Sequence, residues 1–151
     1  MAPPRPLAQR VIDTRRLLDD GPKDAWVATA SASGEAHLVP LSFAWDGERI
    51  TLATEASSAT GRNLAASHRA RLGFGHTRDV VLVDAVVERT WSVAEAPDGV
   101  AEGYAAQVDW DPRTAAGTFV FLDLRPVRIQ AWREENEIAG RTVLRDGAWL
   151  A

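Results

Sequence analysis

Apolar positions recur along this chain with two different periods. In "LAQRVIDTRRLLDDG", Leu7, Val11, Leu17 and Leu18 keep close to helical spacing and the run stops at Gly21, which predicts a short amphipathic helix. The period then drops to two. "AWVATASASGEAHLVPLSFAWDGERITLATE" predicts three strands: Trp26 to Ala30, Ala36 to Trp45, and Arg49 to Thr54. Ser33-Gly34 and Asp46-Gly47 separate them, and Asp-Gly between alternating runs is a strong hairpin signal. Pro40 interrupts the second run. Proline donates nothing to a ladder, so the strand is expected to bulge or to lie at an edge there.

An alanine-rich helix follows, to about His68. "ARLGFG" and "VVLVDAVVERTWSV" predict two more strands joined by the polar "HTRD". "APDGVAEGYAAQVDWDP" reads as helical and closes at Pro112, and "TFVFLDLRPVRIQAWR" as a long last strand. The tail "NEIAGRTVLRDGAWL" holds another Asp-Gly turn, and its pattern assigns it no role. Turns alone join the first three strands, whereas a parallel sheet needs a helix between most strands. The fold class is therefore mainly β: an antiparallel barrel of six or more strands with flanking helices. The expected organisation is one domain, with residues 1–22 as a helix packed on the barrel, 23–133 as the barrel and 134–151 as a C-terminal extension.

Composition narrows the partners. The 151 residues suit a single domain that buries about two thirds of its unfolded surface. Net charge is −4, from 17 basic and 21 acidic side chains, so the broad positive field that nucleic-acid binding needs is missing. Without cysteine there is no disulfide, thiol nucleophile or cysteine-ligated zinc. No run approaches the roughly 18 apolar residues of a membrane span. "MAPPRPLAQRVIDTRR" lacks the apolar core and cleavage site of a secretory signal. A cytoplasmic location with no membrane partner is the expectation.

Self-contained catalytic machinery is hard to find. "GFGHTR" lacks the third glycine of a dinucleotide fingerprint and leads into a strand, where that fingerprint needs a helix. Neither a phosphate-binding G-x-x-x-x-G-K-[ST] nor a G-x-S-x-G elbow occurs. His37, His68 and His76 have no metal-ligand spacing, and no metal is expected. Asp19-Asp20 and Glu134-Glu135 read as solvated surface. An enzyme built on this chain would draw its chemistry from a cofactor, and the sequence does not reveal its catalytic residues.

One stretch stands apart. "SSATGRNL" sets Ser57, Ser58 and Thr60 at a helix start, one turn after Thr54, followed by Gly61, Arg62 and Asn63. Helix capping accounts for one of these hydroxyls. A phosphate seat would account for all of them and for the arginine, since an arginine in the first turn opposes the helix dipole unless an anion lies between. The residues themselves leave both readings open.

The order "ATASASGEAHLVPLSFAWDGERITLATEASSATGRNLAASHRARLGF" resembles the pyridoxamine 5′-phosphate oxidase-like, FMN-binding split-barrel family, over about residues 23 to 133. The resemblance rests on the glycine turn, the mid-strand proline, the Asp-Gly hairpin, a third strand ending at Thr54, and the "RNL" helix with its Ala-Arg-Leu-Gly-Phe strand. It implies an FMN-dependent oxidoreductase that moves hydride to or from a small organic substrate. The flavin ring would lie along Val39, Pro40, Leu41 and Ser42, and the phosphate at Thr54, Ser58, Thr60, Gly61, Arg62 and Asn63. It implies a homodimer with the cofactor at the interface, and Trp91, Trp110 and Trp149 are the candidate tryptophans there. Two alternatives accompany it. An 8-hydroxy-5-deazaflavin coenzyme would run its anionic tail past His68, Arg69 and Arg71, and a non-catalytic module would hold flavin or haem. The departures are specific: Thr60-Gly61 stands where relatives often carry a lysine, and the second strand lacks arginine and lysine. The C-terminal substrate segment of the true oxidases is also missing, so formation of pyridoxal phosphate is not expected.

Overall fold

A computed structural model describes residues 1–151. Helix α1 (Leu7–Asp20) leads into β1 (Asp24–Ala30), β2 (Ala36–Trp45) and β3 (Ile50–Glu55). Helix α2 (Ala59–Ser67), β4 (Arg69–Phe74), β5 (Val80–Ser92), α3 (Asp98–Val108) and β6 (Phe119–Trp132) follow, and then β7 (Thr142–Arg145) and β8 (Ala148–Trp149). Every strand pairing is antiparallel, in the order β3-β2-β1-β4-β5-β6, and β3 pairs again with β6 to close a six-stranded barrel. β7 and β8 extend the sheet outside the barrel. The long strand ending at Trp132 is therefore not the last, because the tail forms a hairpin on it. Asp146 and Gly147 both have positive φ at its turn, as a two-residue hairpin of right-handed strands requires.

The alternation in each strand fills the barrel. Val27, Phe43, Ile50, Leu52, Leu72, Val83, Leu122, Leu124 and Ile129 meet inside with little or no exposure, and Phe43 sets its edge against the Phe74 ring at 5.0 Å. Helix α1 adds Val11 and Leu18 to this core, and β7 adds Val143 and Leu144. Helix α3 packs outside the barrel, where Ala101 and Tyr104 cover Ala44, Ala53 and Phe121. Gln107 braces the adjoining strand by accepting from the Trp45 N–H and donating to its carbonyl, each at 2.9 Å. No helix is long and apolar enough to cross a membrane.

Candidate functional site

β2 and β3 pair over three positions only, Phe43 to Trp45 against Ile50 to Leu52. β3 stays on β6 as far as Glu55, and β2 stays on β1 back to Ala36. Beyond Ser42 and Ala53 the two strands must therefore part, and a cleft opens between them. Helix α2 starts from the end of β3 and lies across the gap, in contact with β1, β2 and β3. Its Leu64 is fully buried and anchors it.

One side of the cleft is the open edge of β2. The Phe43 N–H donates to the Lys23 carbonyl at 2.9 Å, which makes the odd-numbered positions of β2 the hydrogen-bonded ones toward β1. Pro40, opposite Trp26, falls in the alternate set, so its missing N–H removes no bond from the ladder. Of the two expectations for Pro40 the edge is observed and the bulge is not, since pairing runs without a shift from Ala36 to Ser42. The backbone groups of Leu38 and the Pro40 carbonyl face away from β1, where no strand receives them. Val39 and Leu41 are half-buried toward the interior, while Pro40 is exposed. Ser42 donates its hydroxyl to Asp24 Oδ1 at 3.0 Å, and its carbonyl lies 3.5 Å from the Tyr104 hydroxyl. Burial, reinforced by the Asp24 charge, pushes the Tyr104 phenol up to about 12, so it stays a neutral donor.

The other side is the β3–α2 turn. Ser58 is the N-cap: its Oγ accepts from the Gly61 N–H at 3.0 Å, donates to the Glu55 carbonyl at 2.7 Å and lies 3.2 Å from Thr54 Oγ1. The N–H groups of Ala59 and Thr60 in the first turn have no acceptor. Gly61 has a steric reason. A Cβ there would stand 2.3 Å from the Glu55 carbonyl oxygen and 2.8 Å from that of Ala56, so the close approach it permits is to the chain's own backbone. The exposed Arg62 guanidinium turns back to the Ser57 carbonyl. Asn63 points inward and donates from Nδ2 to Thr29 Oγ1 at 3.1 Å.

Thr54, Ser58 and Gly61 thus form one hydrogen-bonded turn, the buried Thr60 sits within it, and Val39 to Ser42 lie across the cleft. Arg62 and Asn63, about 100° apart on the helix, diverge. Thr29, which holds Asn63, escaped the sequence reading. So did Trp26, whose ring is the most exposed of the tryptophans at 53%. Alternation in "DAWVATA" carries the signal for it, since Trp26 is in phase with Asp24 and out of phase with Val27. Trp91 and Trp149 lie half-buried beneath Arg89 and Arg15, and Trp110 packs its edge on Tyr104 and Phe119.

Structures of known proteins share this architecture. An F420 reductase superposes with a TM-score of 0.60 at 20% identity, covering 76% of this chain and 94% of its own. A haem-binding protein from Mycobacterium smegmatis gives 0.65 at 20% identity, over 95% of this chain and 59% of its own. A protein from Clostridium acetobutylicum related to general stress protein 26, of the pyridoxinephosphate oxidase family, gives 0.59 at 18%, covering 83% and 89%. At such identities the likeness speaks for the fold. No curated protein sequence matches the chain. The family model described as pyridoxamine 5′-phosphate oxidase matches residues 15–133, which span the whole barrel, and the chain belongs to that family.

Proposed function

We propose that the chain is a cytoplasmic, dimeric oxidoreductase that binds FMN in the cleft between β2 and α2 and acts on a small organic substrate. The observation that carries this reading is the parting of β2 from β3, which sets an unpaired backbone edge beside unsatisfied amides. A flat heterocycle with an amide-like edge complements the free groups of Leu38 and Pro40. A phosphate complements the Ala59 and Thr60 amides, the Thr54 hydroxyl and, after a rotation away from Ser57, Arg62. The bound ring would supply the hydride chemistry, while the chain supplies position and electrostatics. An 8-hydroxy-5-deazaflavin coenzyme fits the same groups.

The second reading is a module that holds a flat ligand without turnover. It is favoured by the electrostatics of the turn: Arg62 is the sole basic side chain from Thr54 to Leu64, and it is already bonded to Ser57. An absorption spectrum of the purified protein, with titrations by FMN, deazaflavin and haem, separates these readings. Arg62→Ala is expected to weaken FMN binding at least about tenfold, the effect of losing one charge-assisted contact. Unchanged affinity would remove Arg62 from the site.

The proposed dimer interface is the outer face of β1 and β2. Trp26 stands opposite Pro40, and Ala28 opposite Leu38, which is 59% exposed. Isolated exposed apolar residues are ordinary, but a contiguous set beside an unpaired strand edge favours association. Leu38→Asp is expected to cost about 2 kcal/mol or more of association and to shift the protein toward monomer. Sedimentation velocity reads that shift directly.

A further inference from the structure

Beyond the end of β3, Ala56 and the segments 92–98 and 112–120 enclose a pocket of about 650 Å³. The β5–α3 connection supplies Val93 and Ala96, the turn after α3 supplies Ala115, and β6 begins with Phe119 and Val120. The lining is mainly apolar, and the volume suits one small molecule.

The walls are held by the chain's own hydrogen bonds. The Thr118 N–H and hydroxyl donate to the Glu55 carboxylate at 3.0 and 2.9 Å, and the Thr118 carbonyl accepts from the Ala56 N–H at 2.9 Å. The Val93 N–H donates to the Phe119 carbonyl at 3.1 Å. Asp111 caps the turn Pro112–Thr114 and binds Arg113 through Nε and Nη2 at 2.8–3.1 Å. A wall already in place spares a ligand the cost of ordering it. Arg113 is also the one cation in the lining, and Asp111 has already taken it.

Asp98 is different. It lines the pocket from the first turn of α3, and its exposed carboxylate makes no hydrogen bond and no ion pair. An acidic residue at a helix start suits the helix dipole, which accounts for its place in α3. The dipole does not account for an unpaired carboxylate beside apolar walls. Neighbouring charges have the same sign: Glu102 acts on Arg113 together with Asp98, and the Glu55 carboxylate at Thr118 has no cation beside it. We propose that this pocket binds a small organic amine, with its apolar body against Val93, Phe119 and Val120 and its ammonium on Asp98. Such an amine is charged at neutral pH, as a lysine side chain is. No lining residue belongs to β2 or α2, so the proposal stands whether or not the β2–α2 cleft holds a flavin.

Titration of the full chain with phenethylamine, and separately with the uncharged phenethyl alcohol, followed by ligand-observed NMR, tests the proposal. The amine is expected to bind with a dissociation constant of about 1 mM or below. The alcohol is expected to bind at least about threefold more weakly, the effect of one exposed ion pair. Asp98→Asn should bring the amine down to the affinity of the alcohol and leave the alcohol unchanged. Asp109→Asn removes the same charge at the other end of α3, outside the pocket, and should change neither. Ala115→Trp fills the pocket and should abolish binding of both, with circular dichroism to check that each variant folds. Failure of the amine to bind overturns the proposal, as does equal affinity for the alcohol or an equal loss in Asp109→Asn. A wild-type dimer that binds neither probe and dissociates in Ala115→Trp also overturns it, since a second copy would then cover the pocket.

Discussion

Gly61→Ala is expected to destabilise the protein by about 2–3 kcal/mol, the cost of forcing extra volume into packed surroundings. The sign makes this informative. Alanine normally stabilises a helix by about 0.5–1 kcal/mol relative to glycine, because it loses less backbone freedom on folding. At Gly61 the new methyl would meet the carbonyl oxygens of Glu55 and Ala56 at 2.3 and 2.8 Å. Both are backbone atoms, and the Glu55 oxygen also holds Ser58 in its cap, so they cannot swing away as a flexible side chain would. Helix α2 must therefore tilt off the end of β3, disturbing the turn that carries Thr54, Ser58 and Thr60. Gly103 in α3 is the matched control, with no heavy atom within 4 Å of its Cβ position. Gly103→Ala is expected to stabilise by about 0.5–1 kcal/mol. Urea denaturation of the two variants reads both signs. A stable Gly61→Ala protein would mean that the β3–α2 turn yields to the added methyl.

The second large effect lies at the far end of the barrel. Arg5 donates from Nε and Nη2 to the Glu137 carboxylate at 3.0–3.1 Å, and from Nη1 to Asp13 at 2.9 Å. Glu137 is 4% exposed, and Arg10 adds a bond from Nη1 to the Gly140 carbonyl at 2.8 Å. The N-terminal segment is thus clasped to the tail. Removing one partner of a buried pair strands the other charge, so Arg5→Ala is expected to cost about 3 kcal/mol or more. Glu137→Gln in the same chain should recover part of that loss, because it removes the stranded charge.

The clasp also has a pH signature. Burial would raise the Glu137 and Asp13 carboxyls, but the Arg5 hydrogen bonds and charge outweigh it and hold both below their ordinary range. Depressed carboxyls stabilise the fold fully above their unfolded values, and that stability is lost as pH falls through the folded ones. Thermal unfolding of the wild type should therefore weaken toward acid more steeply than that of Arg5→Ala. Parallel profiles for the two proteins would rule the clasp out as the source of that acid sensitivity.

The β architecture was legible because local chemistry and tertiary context agree there. Asp46 accepts from both the Glu48 and Arg49 N–H groups, and Gly47 has φ of 96°, so the Asp-Gly hairpin is built as the sequence predicts. The tail hairpin was harder to read. β8 spans two residues, and its register comes from pairing with β7 rather than from any period of its own. At the candidate site the residue types were legible but their directions were not. Arg62 and Asn63 are adjacent in sequence, yet one returns to Ser57 and the other crosses to Thr29, 34 positions away.

Read alone, the chain determined what short-range physics controls: strand periods, turn chemistry, a run of hydroxyls at a helix start, and a Pro40 that restricts how its strand can pair. Which hydroxyl caps the helix, Ser58, came from the structure. Only the tertiary structure decided what barrel closure controls. β3 follows β6 as far as Glu55 while β2 follows β1 back to Ala36, so β2 and β3 diverge after Leu52. That divergence opens the cleft, and the β3–β6 pairing behind it joins residues some 70 positions apart that no local pattern connects.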